Sequence, residues 1–313
     1  MPLLYRYFDP DGIAALKTMS LPASNPSFFN DPFEVRPCFD QDRHDYFAKT
    51  HESFYAGLGV PHSLSAKRSM VGVPTENAVD FGEHLNKRFR DELGKRFRVC
   101  YLSRTPHSTL MWGHYTQSHQ GFILGIDISS AGFATGIKPD GFEIRYTPDR
   151  SSLKLPLAYY SGISVEEYDL RGNIVNDPNQ EVESDGGLVI PFYEYQRQME
   201  TARIAALTTK ALDWAYEQEI RFIYDLPKHA NQLKFEAARH FVPIPPAALR
   251  EVIFGFRTPL KIVQEVVSLF RKGQIGNPQL FFSGCHPFRF EVQKHKATPE
   301  YLLQYFEIVR PTF

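Results

Sequence analysis

Five short runs of aromatic and β-branched residues, LLYRYF (3–8), RVCYLSR (98–104), GFILGIDI (121–128), EIRFIY (219–224) and REVIFGF (250–256), are separated by stretches of very unequal length. Such side chains suit a pleated, half-buried surface, so each run reads as a strand. A doubly wound parallel sheet needs a helical crossover after every strand. The unequal gaps do not repeat that unit, and the chain reads as α+β: mixed and antiparallel sheets with flanking helices.

Helical signals fall between these strands. In DPDGIAALKTM, Asp9 suits an N-cap with Pro10 first in the helix, and Ile13, Leu16 and Met19 mark its buried side. Over 79–98 the apolar stripe Phe81, Leu85, Phe89, Leu93, Phe97 predicts an amphipathic helix whose other face carries Lys87, Arg88, Arg90, Lys95, Arg96 and Arg98. Further helices are expected over 193–210, over 258–272 (Thr258 as N-cap, Pro259 first, Gly273 as stop) and over TPEYLLQYF. STLMWGHYTQSHQ reads as a helix or a tight loop, GFEIRYTP and FRFEVQKH as strands, PASNPSFFNDPFEVRP as an ordered loop, and 173–187 as an exposed acidic loop.

A net charge of -1 gives no global field for nucleic acid or anionic membrane, so any such binding needs a local patch. Three widely spaced cysteines, Cys38, Cys100 and Cys285, offer neither a zinc spacing nor a disulfide framework. No run approaches the length of a membrane span, and the start lacks a signal-peptide pattern. A cytoplasmic protein without membrane partners is expected. P-loop, GxGxxG, GxSxG and HExxH motifs are missing from the sequence.

Chemistry concentrates in three stretches. Read as a strand, WAYEQEIRFIY puts Glu217, Glu219 and Arg221 on one face and Tyr216, Gln218, Ile220, Phe222 and Tyr224 on the other. Carboxylates at i and i+2 lie about 7 Å apart. Their repulsion is about 2 kcal/mol at an effective dielectric near 20. A wet strand edge tolerates that, so by spacing alone a solvated face with an Arg counter-ion is the plainer reading. In FFNDPFEVR, Asn30 and Asp31 before Pro32 suit a turn whose side chains bond nearby amides. In LMWGHYTQSHQG, Trp112, His114 and Tyr115 fall within four positions, while His114 and His119 are spaced for no joint metal site. No metal is expected. The basic face over 87–98 would suit phosphates, but Asp91 and Glu92 interrupt it.

Together LLYRYF, FFNDPFE, CYLSR…LMWGHYTQSHQGFILGID, WAYEQEIRFIY and VIFGFR resemble, in this order, a bacterial family catalogued as domain-of-unknown-function family 2971. The resemblance runs over 3–257, implying one domain over 1–313 with a strand-helix extension at 258–313. A more distant likeness is to ADP-ribosyltransferases and their split β core. The opening is similar to their first strand-helix-strand, and Glu217-Gln218-Glu219 to the E-x-E pattern of their arginine-serine-glutamate class. The middle serine strand is not matched cleanly; Ser24, Ser27 and Ser103 are its candidates. This resemblance implies NAD as substrate, Glu219 as catalytic carboxylate, Glu217 orienting or deprotonating the acceptor, and Arg6 on the pyrophosphate. Tyr5, Tyr7 or Trp112 would stack on NAD, with Asn30, Asp31, Ser103, His114 and Tyr115 lining the cleft and Arg221 holding the glutamates. The expected activity is mono-ADP-ribosyl transfer or NAD glycohydrolysis, as in a bacterial toxin or phage-defence effector, with protein or nucleic acid as acceptor. The alternatives are a non-enzymatic nucleotide- or nucleic-acid-binding module, and a hydrolase working through the glutamates or His114 without NAD.

Overall fold

The computed structural model describes residues 3–39, 78–150, 152–153, 181–183 and 189–308. The chain divides into two compact units, Met1–Asn25 with Arg96–Tyr146 and Leu212–Phe313, and Pro26–Lys95 with Thr147–Ala211.

The first unit carries strands β1 (Leu4–Phe8), β2 (Ser20–Ala23), β3 (Phe97–Ser103), β4 (Phe122–Ile126), β5 (Phe142–Glu143), β6 (Glu219–Asp225), β7 (Lys234–Glu236), β8 (Arg239–Pro243), β9 (Leu249–Phe254), β10 (Gln279–Cys285) and β11 (Val292–Lys296). Eight form one sheet in the order β11-β10-β9-β4-β1-β3-β6-β5; β7, β8 and β2 form a second, small sheet. Every neighbour in the large sheet is antiparallel except β9 and β10. That parallel pair needs a crossover, supplied by helix α3 (Leu260–Arg271), which follows α1 (Ile13–Thr18) and α2 (Thr109–Tyr115) along the chain. A further helix, α4, spans Pro299–Ile308. The α+β reading holds, with a mixed and mostly antiparallel sheet.

Strand alternation separates two cores. Leu4, Phe8, Leu102, Ile220, Phe222, Phe254 and Leu280 lie under Leu16 of α1, Val263 and Val266 of α3, and Phe306 of α4. On the other face Tyr5, Tyr7, Ile123, Ile253 and Phe281 pack with Met111 and Trp112 of α2. Pairs of apolar residues three and four apart in α3 (Ile262, Val263, Val266, Val267) are all buried, which is why that helix forms against the sheet. Gly273 ends it at φ +67°, a left-handed residue at the helix stop. Thr258 is not its N-cap: the hydroxyl donates instead to the carbonyls of Gly121 and Gly255, at 2.7 and 2.8 Å. Asp9 does cap the opening turn, Oδ1 accepting from the Gly12 amide, and a short 3₁₀ turn precedes α1.

Three expectations change. The C-terminal segment adds two strands to the large sheet, because QLFFSGC pairs in parallel with β9 beside the FRFEVQKH region. Pro22 and Ala23, the first residues of the proline-rich loop, pair with β8, so this loop begins as a strand. Strand β6 starts only at Glu219, since Gln218 is left-handed at φ +46° and Leu212–Glu217 is a 3₁₀ turn.

The second unit contains helices Ala78–Arg96, whose last residue enters the first unit, and Phe192–Leu207. In it Cys38–Phe39 pairs in parallel with Ser152–Leu153, and Glu181–Glu183 pairs antiparallel with Val189–Pro191. The latter replaces part of the loop expected over 173–187; the rest of that segment lies outside the described residues. Phe89 and Leu93 of the expected stripe are buried, whereas Phe97 opens β3 and the side chains of Phe81 and Leu85 lie outside the described residues. No helix among the described residues is long and apolar enough to cross a membrane.

The basic face of 87–98 is largely engaged within the fold. Arg88 pairs with Glu92, Arg90 donates to the Ser27 carbonyl, Arg98 donates to His240, and Arg96 forms a forked pair with Asp225 at 2.9 and 2.7 Å. Burial by itself would raise the Asp225 carboxyl, but Arg96 outweighs it and holds the pKa below the ordinary aspartate value. A depressed folded-state pKa stabilises above the unfolded value of about 3.9 and is lost as pH falls through the folded one. Arg96→Met is expected to cost about 2 kcal/mol at neutral pH, less than a fully buried pair because Arg96 is 28% exposed. Urea midpoints for wild type and variant should converge as pH drops below about 4. A constant gap would remove the ion-pair account.

Candidate functional site

Register builds the site. Glu219 of β6 stands opposite Ser103 of β3, and Ser103 opposite Tyr5 of β1. Tyr5 in turn faces Gly125 of β4, which faces Glu251 of β9. Directly paired residues share a face, so a polar row crosses five strands beneath an otherwise apolar layer. A bulge between Leu249 and Glu251 brings Glu251, rather than Arg250, opposite Gly125.

Glu217 and Glu219 are 4% and 6% exposed, so the solvated strand face expected from spacing is overturned. The reason is tertiary: Tyr115 of α2 and Tyr216 of the 212–217 turn pack on this face of the sheet. Glu219 is held by Arg221, itself 2% exposed, through Nε to Oε1 at 2.7 Å and Nη2 to Oε2 at 3.2 Å. Its amide donates to the Tyr146 hydroxyl at 2.9 Å. The two glutamates do not alternate along one strand, because Gln218 turns left-handed between them. Glu217 takes a hydrogen bond from Tyr115 Oη, and the Ser103 hydroxyl donates to the Glu217 carbonyl at 2.6 Å. Burial, with the Glu217 charge and hydrogen bond, pushes the Tyr115 phenol far above its ordinary range, so it remains a donor. Tyr115→Phe removes that donor and is expected to cost about 1–2 kcal/mol. A variant with an unchanged urea midpoint would show that Glu217 does not depend on Tyr115.

Arg6 lies where β1 and β3 share one registered pair, against seven between β3 and β6. Its Nη1 donates to the Tyr101 carbonyl at 2.8 Å, and its guanidinium carbon sits 3.8 Å from the centre of the Tyr101 ring. Burial opposes the charge, but Tyr101, Cys100 and Glu219 outweigh it and hold the pKa above the ordinary value. Arg6 Nε is buried with no hydrogen-bond partner. Of these influences on Arg6, that of Glu219, 213 positions away in sequence, is the smallest.

The remaining expected residues divide. Tyr5 is buried against Glu251, and burial followed by that carboxylate raises its phenol to about 12. Tyr7 donates to the Thr105 carbonyl at 2.8 Å. Trp112 is wholly buried, its indole nitrogen donating to the Pro106 carbonyl at 2.8 Å and its ring stacked on His119. His114 is exposed, with Nδ1 3.0 Å from the Tyr216 hydroxyl. Asn30 and Asp31 belong to the second unit, where Asp31 Oδ1 accepts from the Phe33 amide at 2.9 Å, the turn contact that residue pattern suggests. Among the described residues no cluster of three His, Cys, Asp or Glu could hold a metal ion.

Sequence reasoning missed Glu251, Lys294 and Tyr146. Lys294 contacts both oxygens of Glu251 at 2.7 and 2.6 Å. The available signal was a glutamate in the inward period of REVIFGF and a lysine two residues after Val292.

No curated protein and no solved structure matches this chain. Residues 111–222, from α2 through the glutamates into β6, match the family described as Protein of unknown function (DUF2971), which supports the family resemblance read from the sequence.

Proposed function

We propose that the protein cleaves the nicotinamide-ribose bond of NAD and passes ADP-ribose to an acceptor nucleophile or to water. One observation carries this reading: two buried carboxylates at the turn into β6, one fixed by Arg221 and one by Tyr115, with the half-buried Arg6 of β1 under the influence of the Glu219 charge. Burying a carboxylate costs several kcal/mol unless it is paired. A fold that buries two within three residues and clamps each by a different partner has set their positions independently.

Breaking the glycosidic bond releases neutral nicotinamide and leaves positive charge on the ribose carbon. Glu219, held rigid by Arg221, would face that growing charge and stabilise it more than the ground state. Glu217 would accept the proton of the incoming hydroxyl or water as the new bond forms. The likeness of the fold to a split β core is supported by the single registered pair between β1 and β3, Tyr5 with Ser103, next to which Arg6 stands. The unpartnered Arg6 Nε suits an anionic group such as a pyrophosphate. The alternative readings draw less support: the basic face of 87–98 is largely engaged, and His114 is already bonded to Tyr216. The test is nicotinamide release from NAD by purified protein, with Glu219→Gln as the comparison.

A further inference from the structure

The loop joining β10 to β11 ends in an aromatic tip. Phe288 and Phe290 are 91% and 105% exposed, the largest exposures among the buried-type aromatics of the described residues, and Arg289 stands between them. Exposed phenyl rings lose apolar burial and persist on a folded surface chiefly where something covers them. The one cation between the rings is Arg289, 73% exposed, with Glu291 at its side. His286 precedes them with its ring edge-on to Phe288 at 6.3 Å, Glu291 follows 3.9 Å from Arg289, and Lys296 is exposed at the far end of β11.

The tip is tied to the site. The Phe290 carbonyl accepts from Thr109 Oγ1 at 3.2 Å, the Val292 amide donates to the His107 carbonyl, and His107 Nδ1 is 2.7 Å from the Val292 carbonyl. Thr109 begins α2 and Tyr115, the Glu217 partner, ends it. Seven helical residues span about 10 Å. The loop and the carboxylate expected to meet the acceptor thus sit at opposite ends of one short helix.

We propose that this tip binds single-stranded nucleic acid, Phe288 and Phe290 stacking on bases and Arg289 meeting the backbone phosphate. Flat apolar rings alternating with a cation match a chain of alternating bases and phosphates. A protein partner's apolar anchor would meet a projecting tip here rather than a pocket. The role as acceptor site rests on the ADP-ribosyl transfer reading; the binding does not, and it is measured without NAD.

The experiment is fluorescence anisotropy of labelled single-stranded DNA and RNA 12-mers with the full chain, at about 50 and 200 mM salt. Wild type should bind, and the double variant Phe288→Ala/Phe290→Ala should bind about 30-fold or more weakly, the summed loss of two stacked rings. Phe288→Tyr/Phe290→Tyr should retain most of the binding, which separates stacking from a folding defect. Arg289→Ala should flatten the salt dependence by about one phosphate contact. Absence of wild-type binding at low salt, equal binding by the alanine variant, or binding to anionic vesicles in place of the oligonucleotides would each overturn the proposal.

Discussion

Glu219→Gln is expected to lower nicotinamide release from NAD by about 100- to 1000-fold, the usual loss when one electrostatic stabiliser of a transition state is removed. The amide keeps the volume and most of the contacts of the carboxylate but not its charge, which is the property that the developing ribose cation would feel. The substitution also takes a charge from Arg221, so melting temperature and NAD affinity are to be measured alongside. Lost release with retained binding is the expected pattern, because the interaction belongs to the transition state. Release that persists unchanged would remove Glu219 from the chemistry, and release by neither protein would remove NAD cleavage altogether.

Arg221→Met should produce the largest loss of stability. Arg221 is 2% exposed and its pair with Glu219 is wholly interior. Removing one partner leaves a buried charge behind, at a cost of about 3–5 kcal/mol. The double variant Glu219→Gln/Arg221→Met leaves no such charge and should be more stable than Arg221→Met alone. Urea denaturation of the four proteins closes the cycle. Additive losses would mean that the two side chains do not depend on each other, and the account of a rigidly held Glu219 would go with them.

How much of this was legible beforehand can be seen residue by residue. The apolar periods of β1, β3, β4, β6 and β9 were readable because each core strand must present one side chain in two to a packed layer. β10 was not read, although QLFFSGC carries strand-forming residues, because its pairing is parallel and its partner lies 28 residues earlier, across α3. The cap of α3 was misassigned because Thr258 has a tertiary alternative, the carbonyls of Gly121 and Gly255, that outcompetes the local amide. Alternation through WAYEQEIRFIY failed at Gln218, where one left-handed residue releases Glu217 from the strand and aims it at Tyr115 instead.

The same division holds for the site. From the sequence alone come the two carboxylates and their arginine neighbour, the aromatic opening strand with Arg6, and the α+β class, since residue type and period are local properties. Burial is not local. Whether Glu217 and Glu219 face water or an interior depends on α2 and the 212–217 turn packing over them, more than 90 positions apart for Tyr115 and Glu217. The row from Glu251 through Gly125, Tyr5 and Ser103 to Glu219 exists only once five strands take their register, and no spacing along the chain encodes it. Residue chemistry is written in order along the chain, whereas the electrostatic environment that gives it a use is set by what folds against it.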